Sequence, residues 1–247
     1  MFDHVTIRVS DQAASERFYD TVLPRVQVEE RDRDGPYAEW GDFSIAQATD
    51  DQPVTRRLHV AFFAPSREVV DEFWRVGTEA GYPDDGAPGL RPQYSEDYYG
   101  AFLLDPDGNS VEAVQHGRTR EPGQIDHLWI RVADVSASRR FYEMIAPHAG
   151  LRLANVLPER VHFAGASSSF ALVVGEPTEQ LHMAFPADDD ETVRAFHRAA
   201  TEAGYRDNGA AGERAVYHPG YYGAFVLDPD GNNVEVVNHN RWTPPPS

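Results

Sequence analysis

Apolar and polar residues alternate along the segment HVTIRV, and this period of two predicts a β-strand over residues 4–9. The apolar face of the strand (Val5, Ile7 and Val9) would pack against helices. The other face then carries His4, Thr6 and Arg8 toward the opposite side of the sheet. A polar group placed there needs a partner or a ligand.

Helical periodicity follows the strand. Behind the capping residue Asp11, apolar residues recur every four positions across 14–22 and predict an amphipathic helix. Two or three strands are expected through AEWGDFSIAQA. The pattern restarts at LHVAFFA, where His59 lies opposite the apolar residues, and a second helix is expected from about Ser66 to Gly81. The predicted order of elements is therefore one βαβββ unit followed by a second βαβββ unit.

The whole pattern recurs at one offset of 123 residues. YYGAFLLDPDGNSVEAVQH, from Tyr98, and YYGAFVLDPDGNNVEVVNH, from Tyr221, are identical at 15 of 19 positions. The linker-like segment GRTREPGQ separates the two copies, and the terminal TPPPS is expected to be a disordered tail. We predict a tandem α+β fold of four βαβββ units, with one domain in residues 1–118 and another in 125–247.

Composition narrows the chemistry. The chain has no Cys and no Lys, which excludes thiol nucleophiles, disulfides, Cys-bound zinc and lysine Schiff bases. The formal net charge of −18 would repel nucleic acid and anionic membranes and attract cationic ligands. No apolar run approaches the roughly 20 residues of a membrane span, and the N-terminus does not resemble a signal peptide. We expect a cytoplasmic protein with neither nucleic-acid nor membrane partners.

Each repeat carries two histidines that open equivalent strands and one glutamate after the final hairpin. Two neutral imidazoles and one carboxylate bind a divalent cation and leave about three positions open in an octahedral site, which suits a chelating substrate or dioxygen. The alternative is that these are ordinary hydrogen-bonded strand residues. The residues are His4, His59 and Glu112, then His127, His182 and Glu235.

The segments DHVTIRV, FYDTVL, LHVAF and YYGAFLLDPDGNSVEAV resemble the vicinal oxygen chelate superfamily, which comprises glyoxalases, bleomycin-resistance proteins and extradiol dioxygenases. The resemblance covers nearly the whole chain, once per repeat. It implies that paired βαβββ units form a cup around a metal, so that residues 1–118 and 125–247 would be two cup-shaped domains. The implied metal is divalent (Fe²⁺, Zn²⁺, Ni²⁺ or Mn²⁺), and each repeat would supply its own His, His and Glu.

The member of the superfamily is harder to choose. Glyoxalase I-like members add a fourth protein ligand, but the corresponding region offers only Gln47 in the first repeat and Val173 or Val174 in the second. A set of three protein ligands, His, His and Glu, is similar to that of the extradiol dioxygenases. Their pattern also expects a Tyr where Phe102 and Phe225 stand, and Phe cannot hold or move a proton. This departure argues against aromatic ring cleavage.

Further site residues are weaker candidates. His218 is a candidate proton carrier, and because Ser95 stands at the equivalent position, the second repeat is predicted to hold the more competent site. The alternative role of the candidate tyrosines is packing, and the alternative role of the candidate arginines is pairing with a neighbouring carboxylate. Candidate substrate-binding residues are Arg8, Arg131, Tyr99 and Tyr222.

Two functions follow from the resemblance. The first is a metal-dependent enzyme, a lyase, isomerase or dioxygenase, that acts on a small substrate chelated through adjacent oxygens. The second is a non-catalytic antibiotic-binding protein of the bleomycin-resistance type, which the net charge of −18 favours for a cationic drug. The two intact triads favour the enzyme. The expected partner is a small-molecule substrate or drug, and a homodimer is left open.

Overall fold

The computed structural model describes residues 1–32, 35–117, 120 and 124–240 of the 247-residue chain. Most of the predicted linker GRTREPGQ and all of the predicted tail TPPPS lie outside the described residues. Within those ranges, no helix is both long enough and apolar enough to cross a membrane.

The first repeat forms two βαβββ units, as the alternation predicts. Unit 1 consists of β1 (His4–Val9), α1 (Gln12–Val22), β2 (Glu30–Asp32), β3 (Tyr37–Trp40) and β4 (Phe43–Gln47). Unit 2 consists of β5 (His59–Phe63), α2 (Arg67–Glu79), β6 (Asp84–Leu90), β7 (Tyr99–Leu104) and β8 (Ser110–Gln115). A short 3₁₀ helix, Leu23–Val26, follows α1. The side chains of Asp11 and Ser66 cap α1 and α2 by accepting from backbone N–H groups.

The second repeat has the same order. Unit 3 consists of β9 (Ile125–Val132), α3 (Val135–Ile145), β10 (Arg152–Leu157), β11 (Arg160–Ala164) and β12 (Ser169–Val174). Unit 4 consists of β13 (His182–Pro186), α4 (Asp190–Glu202), β14 (Asp207–Glu213), β15 (Tyr222–Leu227) and β16 (Asn233–Asn238). The α+β class and the four βαβββ units predicted from the sequence are confirmed.

The units pair across the two repeats rather than within them. One eight-stranded sheet has the order β14-β15-β16-β13-β1-β4-β3-β2, which joins units 1 and 4 and is called cup 1. The other has the order β10-β11-β12-β9-β5-β8-β7-β6, which joins units 2 and 3 and is called cup 2. The expectation that residues 1–118 and 125–247 each close their own cup is therefore wrong, although these ranges still divide the sequence repeats.

The pairing follows from chain connectivity and from the edges of the units. The short link between β8 and β9 lets these successive units share a sheet, through antiparallel pairing of β5 with β9. Units 1 and 4 are then left with β1 and β13 as unpaired edges, and these strands pair antiparallel with each other. All four units present an equivalent edge strand, and an unpaired edge is unfavourable.

A buried hydrogen bond ties the two units of each repeat together on the helix side. The Tyr19 hydroxyl of α1 donates to Asp105 Oδ2 at 3.0 Å, and the Tyr142 hydroxyl of α3 donates to Asp228 Oδ2 at 3.1 Å. Each aspartate opens a DPDG turn, and its other oxygen accepts from the backbone two and four residues ahead. This network explains why the FY pair in the helix and the DPDGN turn occur together.

Replacing Tyr142 with Phe should destabilise the fold in a pH-dependent way. Burial raises the pKa of Asp228 to about 6 from 3.8, so the folded state holds this proton more tightly than the unfolded chain. Stability from this group is present below about pH 4 and lost as pH rises through about 6. The Tyr142 hydroxyl opposes that loss because it donates to the carboxylate. We expect Tyr142→Phe to cost about 1–3 kcal/mol at pH 8 and less at pH 5, measured by urea unfolding.

The control for this substitution is Tyr222→Phe. The Tyr222 hydroxyl accepts from Arg194 at the surface, at 3.2 Å, so its loss should change the free energy of unfolding by less than about 0.5 kcal/mol at either pH. Equal costs for Tyr142→Phe at pH 5 and pH 8 would contradict the assignment of the charged Asp228 as the partner.

Candidate metal centres

Cup 1 brings together His4, His182 and Glu235 from three neighbouring strands, β1, β13 and β16. The two Nε2 atoms of the histidines are 3.0 Å apart. Glu235 Oε2 lies 3.2 Å from His182 Nε2 and 3.7 Å from His4 Nε2. The three ligand atoms thus form one compact triangle.

Cup 2 repeats the arrangement with His59, Glu112 and His127 from β5, β8 and β9. Glu112 Oε2 lies 2.9 Å from His59 Nε2 and 3.5 Å from His127 Nε2. All three ligand atoms lie within 4.8 Å of one another.

The structure groups the six predicted residues differently from the sequence analysis. The expected set in the first repeat was His4, His59 and Glu112, but His4 lies in cup 1 and the other two in cup 2. The expected set of His127, His182 and Glu235 divides in the same way. The reason is the pairing of β1 with β13 and of β5 with β9, which exchanges the first histidine of the two repeats.

Each glutamate is buried, with an exposed fraction of 1%, and is held by a tyrosine. Tyr221 donates to Glu235 Oε1 at 2.7 Å, and Tyr98 donates to Glu112 Oε1 at 2.7 Å. Burial and the glutamate charge raise the pKa of both tyrosines, so each hydroxyl keeps its proton and remains a donor. One oxygen of each carboxylate is thereby fixed, and the other faces the histidines.

A glycine on the adjoining strand makes room for each carboxylate. A Cβ atom at Gly223 would lie 2.6 Å from Glu235 Oε1 and 3.2 Å from Tyr221 Cε1. A Cβ atom at Gly100 would overlap Glu112 Oε1 in the same way. The YYG segment therefore supplies both the hydroxyl that binds the glutamate and the space that it occupies.

In each cup an aspartate at an irregular strand position supports the histidine that directly follows it in the sequence, His4 in cup 1 and His127 in cup 2. The pairing of β5 with β9 skips Asp126, which forms a bulge next to His127. In cup 1, Asp3 N bonds to Ala184 O and His4 pairs with the same residue. Adjacent strand residues normally face opposite sides, but here each carboxylate reaches its neighbour's Nδ1 at 2.8 Å.

These partners fix the tautomers in cup 2. Asp126 accepts from His127 Nδ1. Ser110 donates to Asp85 Oδ2 at 2.7 Å, so its oxygen accepts from His59 Nδ1 at 3.1 Å. In these tautomers the Nε2 lone pairs of both rings point toward Glu112 Oε2, and a cation, either a ring proton or a metal ion, would join the three atoms.

A divalent metal fits both triangles. A cation about 2.1 Å from each donor gives donor–donor separations of about 3.0–3.4 Å, near those in both cups. In cup 1, His4 Nδ1 donates to Asp3, as is typical of a metal-ligating histidine. The Asn233 amide nitrogen instead donates to His182 Nδ1 at 2.8 Å, so a neutral His182 carries its hydrogen on Nε2 and must change tautomer to bind a metal.

The electrostatic field at each triad favours positive charge. Burial alone would lower the pKa of His4, but the hydrogen bond with Asp3 and the charge of Glu235 offset it and raise the pKa above its usual value. Opposing burial in the same way, Asp126 and Glu112 raise the pKa of His127. Burial, with His4 and Arg8 nearby, lowers the pKa of His182. The electrostatic field that favours a proton on His4 and on His127 also favours a metal ion.

His218 lies in cup 1 and is connected to the triad through two intervening residues that are joined by hydrogen bonds. Its Nε2 is 2.7 Å from His239 Nδ1, and His239 Nε2 is 2.9 Å from Asp3 Oδ2. Asp3 in turn binds His4. His218 therefore belongs with His4 rather than with His127, the first ligand of its own repeat.

The tyrosines expected to bind substrate face away from the cups. Tyr99 donates to Asp71 of α2, and Tyr222 accepts from Arg194 of α4. Strand alternation is the reason, because Tyr98 and Tyr221 take the cup side. The prediction that Tyr99 and Tyr222 line the site is wrong.

The two predicted arginines differ from each other. Arg8 stacks over Tyr37, with its Cζ 5.6 Å from the ring centroid, and contributes to the low pKa of His182, so it lies near the cup 1 triad. Arg131 is exposed, and its aliphatic part lies beside Gly175.

In neither cup does the strand beside His4 or His127 supply a carboxylate as a fourth ligand. Gln47 bonds to the backbone of Gln12, Val9 and Ser10 near the start of α1. Phe102 and Phe225, where the extradiol pattern has Tyr, lie directly opposite the glutamates on the neighbouring strands, as apolar walls.

The walls of the two cups differ. In cup 1, Thr6 next to His4 on the cup face hydrogen bonds to Ser44 at 2.7 Å. In cup 2, Trp129 takes the equivalent place, with Tyr94 at 5.4 Å and Arg160 at 5.7 Å from its ring. The remaining cavity of cup 2 is about 110 Å³. Cup 1 therefore presents small polar side chains where cup 2 presents an indole.

Several supporting residues were not found from the sequence. Asp3 and Asp126 each stand before a predicted ligand, and this repeated Asp-His pair was a usable signal. Gly100 and Gly223 were equally visible in the repeated YYG. The bulges that turn the aspartates inward have no local signal, because they arise from pairing between strands far apart in the chain.

Paired substitutions should distinguish the two possible groupings of the ligands. We expect the wild type to bind two Mn²⁺ ions per chain, measured by equilibrium dialysis. The pair His4→Ala with His182→Ala removes ligands from cup 1 alone and should leave one ion. The pair His4→Ala with His59→Ala affects both cups and should leave none. The opposite result would support grouping by repeat.

Substituting Gly223 with Ala should weaken one site selectively. The added Cβ displaces the Glu235 carboxylate, so we expect the Mn²⁺ affinity of cup 1 to fall by about tenfold or more, with cup 2 unchanged, by calorimetric titration. Gly175→Ala is the control, since the nearest atom to its Cβ would be Arg131 Cδ at an ordinary 3.5 Å. Unchanged affinity in Gly223→Ala would contradict the role of this glycine.

Comparisons with known proteins agree with this architecture. The sequence profile of the Glyoxalase/Bleomycin resistance protein/Dioxygenase superfamily matches residues 1–113 and 124–236. A search of curated proteins found no match. The fold is similar to that of glyoxalase I from Zea mays, with 21% identity, 97% of this chain and 92% of that chain covered, and a TM-score of 0.69.

A candidate dioxygenase from Bacillus subtilis shares the fold at 14% identity, with 96% of this chain and 84% of that chain covered and a TM-score of 0.64. These likenesses concern the fold, whereas the profile matches both repeats over most of the sequence. The chain belongs to the Glyoxalase/Bleomycin resistance protein/Dioxygenase superfamily.

Proposed function

We propose that the protein is a metal-dependent enzyme that acts on a small substrate bound through two adjacent oxygens. The observation that carries this proposal is the pair of complete His, His and Glu triads, each with its own orienting hydrogen bonds. Three protein ligands leave positions for two substrate oxygens. The reaction is an isomerase or lyase step or a dioxygenation.

A mixed nitrogen and oxygen donor set suits Fe²⁺, Mn²⁺, Ni²⁺ or Zn²⁺. When bound, such an ion would polarise the substrate oxygens as a Lewis acid, and iron would add dioxygen chemistry. His4, His182 and Glu235 would hold it in cup 1, and His59, Glu112 and His127 in cup 2.

The residues around the cup 1 triad have separate roles in this proposal. Tyr221 stays protonated and fixes Glu235, so it does not act as a base. Phe225 excludes water from the side of the glutamate. Glu39 lies across β4 from Thr6, and its charge contributes to the raised pKa of His4. Glu39 is therefore the carboxylate placed to take a proton from a substrate carbon.

We infer that cup 1 is the more competent site. It combines Glu39 with the small side chain of Thr6, whereas His162 and Trp129 occupy the equivalent positions of cup 2. His218, proposed from the sequence as a proton carrier for the second repeat, would act in cup 1 as a positioning residue, through His239 and Asp3.

A drug-binding role is the second candidate, and the net charge of −18 favours it for a cationic antibiotic. Such a protein needs no metal. Binding of a cationic drug with equal affinity to metal-free and metal-loaded protein would support it.

The activity test uses protein loaded in turn with each of the four metals. Small 2-hydroxyketones are followed by proton NMR in D₂O for exchange beside the carbonyl, and catechols are followed by oxygen uptake. We expect metal-dependent turnover that falls by about 100-fold or more in His4→Ala, because the cup 1 ligand set is broken. His127→Ala should retain most of the activity.

The conservative variant Glu39→Gln separates the chemistry from metal binding. It should lower kcat and leave the Mn²⁺ stoichiometry at two per chain. Equal losses in His4→Ala and His127→Ala would contradict the preference for cup 1, and no turnover with any metal would contradict the enzyme proposal.

A further inference from the structure

Each cup contains an arginine laid along its wall in a place prepared by two glycines. Arg214 follows β14, and its side chain folds back over the cup face of that strand. A Cβ atom at Gly212 would lie 3.0 Å from Arg214 Nη1, and one at Gly209 would lie 3.6 Å from Nη2. Any larger residue at these positions would compete with the guanidinium for this space.

The arginine lies at the end of a row of side chains that leads to the metal ligands. Arg214 Cζ is 5.6 Å from the Phe225 ring centroid, and that centroid is 6.2 Å from the ring of His182. The row connects a fixed positive charge, a flat apolar surface and the candidate metal centre. A small substrate bound at the metal would lie against the phenyl ring.

The same row is present in cup 2 and has the same spacing. Arg91 Cζ is 5.4 Å from the Phe102 ring centroid, which is 5.8 Å from the ring of His59. Gly86 and Gly89 provide the space, as a Cβ atom at Gly89 would lie 2.9 Å from Arg91 Nη1. The cups differ at Thr6 and Trp129 but retain this row.

Neither guanidinium is neutralised by a carboxylate among the described residues. Arg214 donates to the backbone oxygens of Ala210 at 2.6 Å and Glu213 at 3.3 Å, and Arg91 makes the two equivalent contacts. Carbonyl contacts leave the positive charge uncompensated. Two of the five N–H donors of each guanidinium are used, so the others can bind a ligand.

Arginines stacked on tyrosines outside the cups provide a contrast. Arg194 lies over Tyr222 and also pairs with Glu191 at 2.9 Å. Arg67 lies over Tyr99 beside α2. Among the described residues Arg67 shares the lack of an ion pair with the two cup arginines, so the feature that distinguishes Arg91 and Arg214 is their position on the cup wall, in a row with the triads. A ligand in the cup is the partner that this position favours.

We propose that each cup takes a substrate that carries a carboxylate in addition to its two adjacent oxygens, and that Arg214 and Arg91 bind this carboxylate. The planar guanidinium matches a carboxylate through two parallel hydrogen bonds. The proposal rests on the proposed function for the position of the substrate. It differs from the expectation from net charge, because an arginine lies on the wall of each cup within an anionic surface.

The first test uses metal-free protein, so that it does not depend on the metal. Arginines are modified with phenylglyoxal and quantified by peptide mass spectrometry in the presence of benzoate or of neutral benzamide. Benzoate should slow modification of Arg91 and Arg214 several-fold, and benzamide should not. Arg67 and Arg194 are controls in the same molecule and should be modified at an unchanged rate.

Two results of this test would overturn the proposal. Equal protection by benzoate and benzamide would show that the carboxylate is not recognised. Absence of modification at Arg91 and Arg214, with Arg67 and Arg194 modified, would show that the cup arginines only lock their loops through the carbonyl contacts.

The second test compares catechol with 3,4-dihydroxybenzoate, which has the same adjacent oxygens and one added carboxylate. Calorimetry on Mn²⁺-loaded wild type should show at least about tenfold tighter binding of the carboxylated diol, the factor that roughly 1.4 kcal/mol gives. The double variant Arg91→Gln/Arg214→Gln should lose this preference and keep its catechol affinity. Arg67→Gln/Arg194→Gln should behave as wild type.

The outcomes separate the two proposals. A preference that persists in Arg91→Gln/Arg214→Gln would overturn the carboxylate site. Failure of both diols to bind the loaded protein, with benzoate protection still present, would count against the chelating function and support the carboxylate site.

Discussion

The structure depends on the burial of two carboxylates at the centres of its sheets. Glu112 and Glu235 are each 1% exposed, and a buried carboxylate is unfavourable unless donors and cations compensate it. One tyrosine hydroxyl serves each of them, and the remaining oxygen faces two imidazole nitrogens. The glycine next to each carboxylate, the orienting partners of the histidines and the bulge before the first ligand all serve this one requirement.

Pairing between the repeats follows from this requirement together with duplication. A complete triad needs a histidine from the opening strand of one unit and a histidine and glutamate from another. Units 1 and 3 each provide the single opening histidine, units 2 and 4 each provide a histidine and the glutamate, and either of the first two can combine with either of the second. The chain uses units 1 and 4 for one cup and units 2 and 3 for the other. The halves are joined twice, by β1 with β13 and by β5 with β9, and all of the largest fully buried side chains belong to one core.

The sequence predicted what is local and repeated. Alternation in HVTIRV predicted β1 and its faces, the Asp11 cap predicted the start of α1, and the offset of 123 residues pointed to all six candidate ligands. It could not assign partners, since the edge strands of four similar units carry no information about which pair. The grouping of His4 with His59 failed for that reason. Tyr99 was placed in the cup instead of Tyr98 because the face of that strand depends on register, and a shift of one residue exchanges the faces.

The charge of the surface and the charges inside the cups follow from different constraints. A net charge of −18 sets the long-range field, but at a ligand site the nearest charges dominate because screening in water weakens distant ones over about 10 Å. Within the cups the near charges are the buried carboxylates of Glu112 and Glu235 on one side and Arg91, Arg214 and, in cup 1, Arg8 on the other. A metal ion at each triad would offset the glutamate, and an anion that crosses the outer field would then meet the arginines at the walls of the cups. Discrimination between ligands would then come from the site itself, where cup 1 has the small Thr6 side chain at the position that the Trp129 indole takes in cup 2.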